Sequence, residues 1–240
     1  MTDALPAAAS TVRPVTRKRR AIARAMLQSL QTSAQLTSVV ELDAEALIQA
    51  RRSAAEQGEA PPSALAMIAW VTARVLARHP MLNARIDEDL TSVELFTDVH
   101  LGIAIDAPGG LVVGKVPSAH LRSAPDIASE IQRLASAARS GRLRLEDFQG
   151  STFTISNTGS RGSLLDTPIV NLPEAAILGV GLVQPRPVVY EGQLAIRHMA
   201  YLCLSYDHRL IDGADAARFL VDVTRTCEGT DWAAVADGTA

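Results

Sequence analysis

The sequence predicts an α/β fold, with helices packed on a largely antiparallel or mixed sheet. Short alternating runs recur, such as Leu202, Leu204 and Tyr206 interleaved with Cys203 and Ser205, and these have the period of a strand. Between them lie stretches with helical spacing, such as residues 214–224. Hydrophobic residues make up 48% and charged residues 20% of the chain, ordinary for a globular domain. At 240 residues and 25.5 kDa one domain can bury a full core.

Residues 1–12 are small and rich in Pro and Ala, so disorder is expected there. Arg13, Arg17, Lys18, Arg19, Arg20 and Arg24 then form a basic run that opens a helix to about Gln31; by itself such a run is a solvated helix face. A strand is expected over 36–42, then a helix capped at Asp43 and stopped at Gly58. Pro61 and Pro62 break the chain, and Ser63 caps an apolar helix from Ala64 to Arg78. Strands fit 93–106 and 110–116. Ser123, Pro125 and Asp126 start a helix reaching Arg139. Further strands fit 151–157, 175–184, 186–191 and 195–206, and Asp212 or Gly213 caps the helix from Ala214 to Thr224. No internal repeat is apparent.

Composition excludes several classes. No apolar run approaches ~18 residues, so no membrane span is expected. No charged-then-apolar leader opens the chain. Cys203 and Cys227 lack CxxC spacing, so two reduced thiols and a cytoplasmic location are expected. A net charge of −3 argues against a general nucleic-acid binder.

The chemistry concentrates at Ser205-Tyr206-Asp207-His208-Arg209-Leu210-Ile211-Asp212-Gly213. His208 falls where a strand gives way to a helix, a place that can present a general base without burying its charge. Two other readings stay open on the residues alone. Asp207 and Arg209 can pair across an ordinary surface turn. Asp207, His208 and Asp212 can also ligate a metal, although no second His or Cys motif accompanies them.

The Asp207-to-Gly213 pattern, DHRxxDG, resembles the signature of the catalytic domain of dihydrolipoamide acyltransferases. These are the E2 components of 2-oxoacid dehydrogenase complexes, relatives of chloramphenicol acetyltransferase. Other blocks carry the same resemblance: residues 146–159 (EDFQGSTFTISNTG), 167–171 (TPIVN), 174–179 (EAAILG), and more weakly 100–105 with 110–113. The likeness runs from about Arg17 to Leu220. It implies a two-layer chloramphenicol-acetyltransferase-like sandwich, a trimer, and a catalytic domain over residues 13–240. It further implies that His208 is the base, removing the acceptor proton as the acceptor attacks the thioester of acetyl-CoA or another acyl-CoA. Ser156 matches the hydroxyl donor to the tetrahedral oxyanion; without the motif it is a strand serine bonded to backbone. Asp212 matches a buried acid that holds the histidine. Ser156 and His208 would come from adjacent subunits. The basic run then gains a second meaning, contact with the CoA phosphates or an acidic partner. The resemblance implies neither a metal nor an assignment of CoA-contacting residues.

Departures from the family shape the functional expectation. No lipoyl or peripheral-subunit-binding domain precedes the catalytic unit, and so no lipoyl group is expected on this chain. The tail after Cys227 is polar and small, with only Trp232, Val235 and alanines as apolar groups. Ala34-Gln35 stands where Pro-His is common, Ala25 where an arginine is common, and Gly114 and Pro117-Ser118 where Pro and Arg-Asp are common. These changes favour a stand-alone enzyme that acetylates a hydroxyl on a small-molecule or carrier-bound acceptor, like the tetronate acetyltransferases of antibiotic biosynthesis. The alternatives are an E2 core moving acyl groups between dihydrolipoamide and CoA, and a catalytically silent trimeric scaffold.

Overall fold

The computed structural model describes residues 10–108 and 110–236. Two of the expected caps form, at Ser63 and Ser123, and one that was not expected forms at Thr16, whose Oγ1 accepts from Arg19 N at 3.2 Å to open α1 (Arg17–Thr32). Ser63 Oγ accepts from Ala66 N to open α3 (Ala64–Leu76), and Ser123 Oγ accepts from Asp126 N to open α4 (Ala124–Arg139). The helix after His208, α5 (Gly213–Gly229), outruns its expected end by a turn and a half because Cys227 is still buried. α2 (Glu45–Glu56) starts from Ala44, although Asp43 Oδ1 does accept from Glu45 N at 2.9 Å. α6 (Trp232–Ala236) was not foreseen. It forms because Trp232 packs beside Trp70, ring centroids 6.3 Å apart, and donates its Nε1 to Cys227 O. The two large apolar residues of the tail, Trp232 and Val235, are therefore buried in their own chain. The expected disorder at 1–12 falls mostly outside the described residues; 10–12 have no regular structure.

The main sheet contains β1 (Gln35–Asp43), β4 (Leu101–Ile105), β5 (Val112–Val116), β6 (Phe153–Asn157), β7 (Ala176–Val180), β8 (Gln184–Tyr190) and β9 (Gln193–Asp207), in the order β1-β9-β7-β6-β4-β5 with β8 on β9. It is mixed: β6 runs parallel to β4 and β7, and the other pairs are antiparallel. β2 (Ala84–Ile86) and β3 (Val93–Leu95) form a separate two-stranded sheet. The single strand expected over 93–106 is thus two. Asn83 Nδ2 donates to Phe96 O and Asp98 O, diverting the segment between them away from a ladder. The strand expected over 175–184 stops at Val180. Gly181 follows, where a Cβ would lie 2.1 Å from Leu164 O, so only glycine fits.

One sheet face carries Phe153, Ile155, Leu178, Leu202, Leu204 and Tyr206, which share a core with α3 and α5. α3 is buried nearly all round and forms the centre of this layer. The alternate residues Thr154, Ser156, Gly179, Cys203, Ser205 and Asp207 face the other way, by the two-residue period of a strand. No long helix lies between β6 and β7, so their parallel connection, residues 158–175, crosses this second face as irregular chain. β8 and the first half of β9 project as a hairpin. On one side of it Val189 opposes Leu194 and Pro187 opposes Ile196. Val189, Leu194 and Ile196 are each more than three-quarters exposed.

Candidate active site

β9 ends at Asp207, whose N–H donates to Ala175 O at 2.9 Å. His208 N–H donates to Ala34 O at 2.8 Å, and Leu210 and Ile211 N–H both return to Asp207 O at 3.0 Å. The turn is held by the buried Asp207 carboxylate. Its Oδ1 accepts from Ala34 N and Arg209 N, and both its oxygens accept from the Arg209 guanidinium, the shortest contact 2.6 Å. Asp207 and Arg209 do pair, as the plainest reading of the turn expects. That pair fixes both neighbours of His208 and leaves its side chain exposed, 5.8 Å centroid to centroid from the Tyr206 ring. Asp207 is engaged with Arg209 rather than directed outward as a metal ligand would be.

The resemblance makes Asp212 a buried acid that holds the histidine. Within one chain it is exposed and makes no side-chain capping bond at the start of α5. Only its carbonyl is used, accepting from Asp215 N and Ala216 N. The extended backbone at Asp212, just before α5, places it at the surface of the chain.

Ser156 sits half-buried near the end of β6, in a cleft of about 1250 Å³ bordered by Ala104, Pro108, Leu111, Arg139 and Arg161. Arg161 is tied to Asp106. Lys18 Nζ donates to Pro108 O at 3.3 Å and Gly110 O at 3.4 Å, so the start of α1 reaches the rim of this cleft. The other cations of the basic run make no ion pair among the described residues.

The register fixes how Ser156 and His208 relate. Ser156 pairs with Gly179, and Gly179 pairs with Cys203. His208 lies five residues beyond Cys203. At strand dimensions that is ~16 Å along the sheet and ~10 Å across it, hence a separation of ~19 Å. One chain does not bring the two residues together.

A further acidic residue escaped the sequence reading. Glu174 is 4% exposed; its Oε1 accepts from Ser151 Oγ at 2.5 Å and Asn171 Nδ2 at 2.9 Å. Burial pushes its carboxyl up to about 7, against the pull of these donors. The signal was present: a lone acid opening the wholly apolar run Ala175-Ala176-Ile177-Leu178.

Residues 7–233 match the family model described as 2-oxoacid dehydrogenases acyltransferase (catalytic domain). The dihydrolipoyllysine-residue succinyltransferase component of the 2-oxoglutarate dehydrogenase complex of Haemophilus influenzae is 37% identical over 219 residues, 90% of this chain and 53% of that protein. The acetyltransferase component of the pyruvate dehydrogenase complex of Mycobacterium bovis is 37% identical over 227 residues, 91% of this chain and 41% of that protein. The chain thus spans about half the length of the curated relatives it matches. The cubic core of a pyruvate dehydrogenase multienzyme complex superposes with a TM-score of 0.86 at 32% identity, covering 95% of this chain and 94% of that one. An Azotobacter vinelandii dihydrolipoamide acetyltransferase, studied for a serine, a histidine and an asparagine in its catalytic mechanism, superposes at 0.87 with 32% identity over the same shares. Chloramphenicol acetyltransferase shares the fold alone, at 0.53 with 17% identity over 88% of this chain and 94% of its own.

Proposed function

The chain belongs to the 2-oxoacid dehydrogenase acyltransferase family, and on that premise we propose that it moves an acyl group between the thiol of dihydrolipoamide and that of CoA. The stand-alone tetronate reading loses its support, because the relatives found are named as components of 2-oxoacid dehydrogenase complexes. Both succinyl and acetyl donors occur among those names, so the acyl group is one of these short acids.

His208 takes the proton from the attacking thiol, and the sulfur adds to the thioester carbonyl. The Ser156 hydroxyl donates to the oxyanion that forms, an interaction that strengthens only as charge develops. The tetrahedral species collapses, the C–S bond of the donor thioester breaks, and His208 returns its proton to the departing thiolate. Asp212 would orient His208 once a second subunit covers it. The Asp207–Arg209 pair keeps the histidine at the sheet end throughout.

The observation that carries this reading is the ~19 Å between Ser156 and His208 within one chain. The two act on one carbonyl only if Ser156 of one subunit faces His208 of the next, which a closed ring such as a homotrimer repeats at every interface. The test is direct: purified protein with acetyl-CoA or succinyl-CoA, scored for S-acyl dihydrolipoamide by mass spectrometry, against a panel of alcohols. Acylation of an alcohol with none of dihydrolipoamide would restore the stand-alone reading. No transfer to either would leave the silent scaffold.

A further inference from the structure

Gln35 opens β1 opposite Asp207, and its side chain reaches the crossover between β6 and β7. Its Nε2 donates to Ser29 Oγ at 2.8 Å and to Ser33 Oγ at 2.9 Å, at the end of α1. Its Oε1 accepts from Val170 N at 3.0 Å. The proton directions in this cluster are forced. Ser29 Oγ donates its hydrogen to Val170 O at 2.6 Å, and Ser33 Oγ donates its own to Ser29 O at 2.5 Å. Neither hydroxyl has a proton left, so each can only accept from Gln35, and only a group with two donors serves both. Ser29, Ser33 and Val170 are all buried, where an unmet donor or acceptor is rarely tolerated. The N–H and the C=O of Val170 are thus both held by side chains, one from β1 and one from α1.

The clamp meets the site at both ends. Ala34, bonded to Gln35 along the chain, holds the turn: its O accepts from His208 N at 2.8 Å and its N donates to Asp207 Oδ1 at 3.3 Å. Asn171, next to Val170, donates its Nδ2 to Thr154 Oγ1 at 3.4 Å, two residues before Ser156 on β6. We propose that Gln35 is a positioning residue for acyl transfer: it locks the His208 turn to the crossover, and a neutral amide is required because it offers two donors and an acceptor at every working pH. This rests on the acyl-transfer reading. A neutral imidazole has one donor and one acceptor, and a charged one has no acceptor for Val170 N. A carboxylate has no donor for Ser29 or Ser33 until it is protonated. The charged and titratable groups on the surrounding elements are Cys203, Asp207, His208 and Arg209 on β9 and its turn, and Arg161, Asp166 and Glu174 on the crossover. The first along β1 is Glu41, and residues 25–32 of α1 carry none.

The test compares Gln35→His and Gln35→Glu with the unmodified protein from about pH 5 to 8, where imidazole and carboxylate groups change charge. Transfer from acetyl-CoA or succinyl-CoA to dihydrolipoamide gives kcat and KM, and hydrogen-exchange mass spectrometry follows residues 204–211. Both variants should lower kcat by roughly 10-fold to 10²-fold with KM nearly unchanged, as a misaimed group does. The slopes should oppose each other. Relative to the unmodified protein, kcat of Gln35→His falls as pH drops through ~6.5 and the ring loses its acceptor. That of Gln35→Glu falls as pH rises and the carboxyl loses its one donor. Exchange over residues 204–211 should quicken about 10-fold in both, with the same opposed trends. Thermal melts identify a variant that fails to fold. Gln35→Met, similar in shape and without the bonds, then stands in, and unchanged kcat in it overturns the proposal. So do pH-independent ratios in folded variants, or a loss confined to KM. Absent acyl transfer by the unmodified protein rejects the functional reading instead, and exchange over residues 204–211 then decides the clamp, unchanged exchange overturning it.

Discussion

The carboxylate of Asp207 grips the guanidinium of Arg209 with both oxygens, bracketing His208 between two fixed residues. Asp207 is buried and also accepts from the backbone of Ala34 and Arg209. Asp207→Ala is therefore expected to cost about 1–3 kcal/mol through the orphaned donors. It should lower kcat as well, because the turn that aims His208 loses its anchor. Urea unfolding and steady-state kinetics on the same preparation check both. A variant with unchanged stability would show that the turn is held by its backbone bonds alone.

His208→Ala should leave folding intact, since the side chain is exposed, and should lower turnover by ~10²–10⁴. Near-normal turnover would remove His208 from the mechanism.

For Ser156→Ala the expectation is a kcat lowered by ~10²–10³ with KM for the acyl donor nearly unchanged. An effect confined to KM would make Ser156 a ground-state binding group instead.

Because Ser156 and His208 lie ~19 Å apart in one chain, the two variants should complement. His208→Ala and Ser156→Ala chains, refolded together in equal amounts, should regain roughly a quarter of the sites, by random assortment around a closed ring. Mixing without recovery, with mixed oligomers verified by mass spectrometry, would place the whole site in one chain.

Glu174 predicts a pH effect of definite sign. Its folded carboxyl is raised to about 7 from an ordinary value of 4.5. The folded state thus binds the proton more tightly than the unfolded one. The associated stability is fully present below pH ~4.5 and is lost as pH rises through ~7, a change of roughly 3 kcal/mol. Urea midpoints across this window should fall for the unmodified protein and stay flatter for Glu174→Gln. Equal slopes would mean that the carboxyl titrates normally.

The parts of the fold written in local pattern were legible. Ser63 and Ser123 announced their helices, and alternation along Leu202, Leu204 and Tyr206 announced the last strand. What escaped depended on distant contacts. The break between β3 and β4 is made by Asn83 reaching across to Phe96 and Asp98, which no window around residue 96 contains. The helix at Trp232 exists because of Trp70, far away in sequence. At the site, DHRxxDG pointed to His208. The distance to Ser156 is a fact of sheet register, and register is not written in any short motif; the exposure of Asp212 comes from the extended backbone at the start of α5.

The hairpin of β8 and β9 bears on how such a protein is made. A freshly folded single chain holds Val189, Leu194 and Ile196 in water on a projecting two-stranded ribbon, the kind of surface that recruits unrelated strands. Clumping through such a ribbon accelerates with concentration. Yield from the cell should accordingly depend on the rate of synthesis, with slow production at low temperature leaving less aggregate.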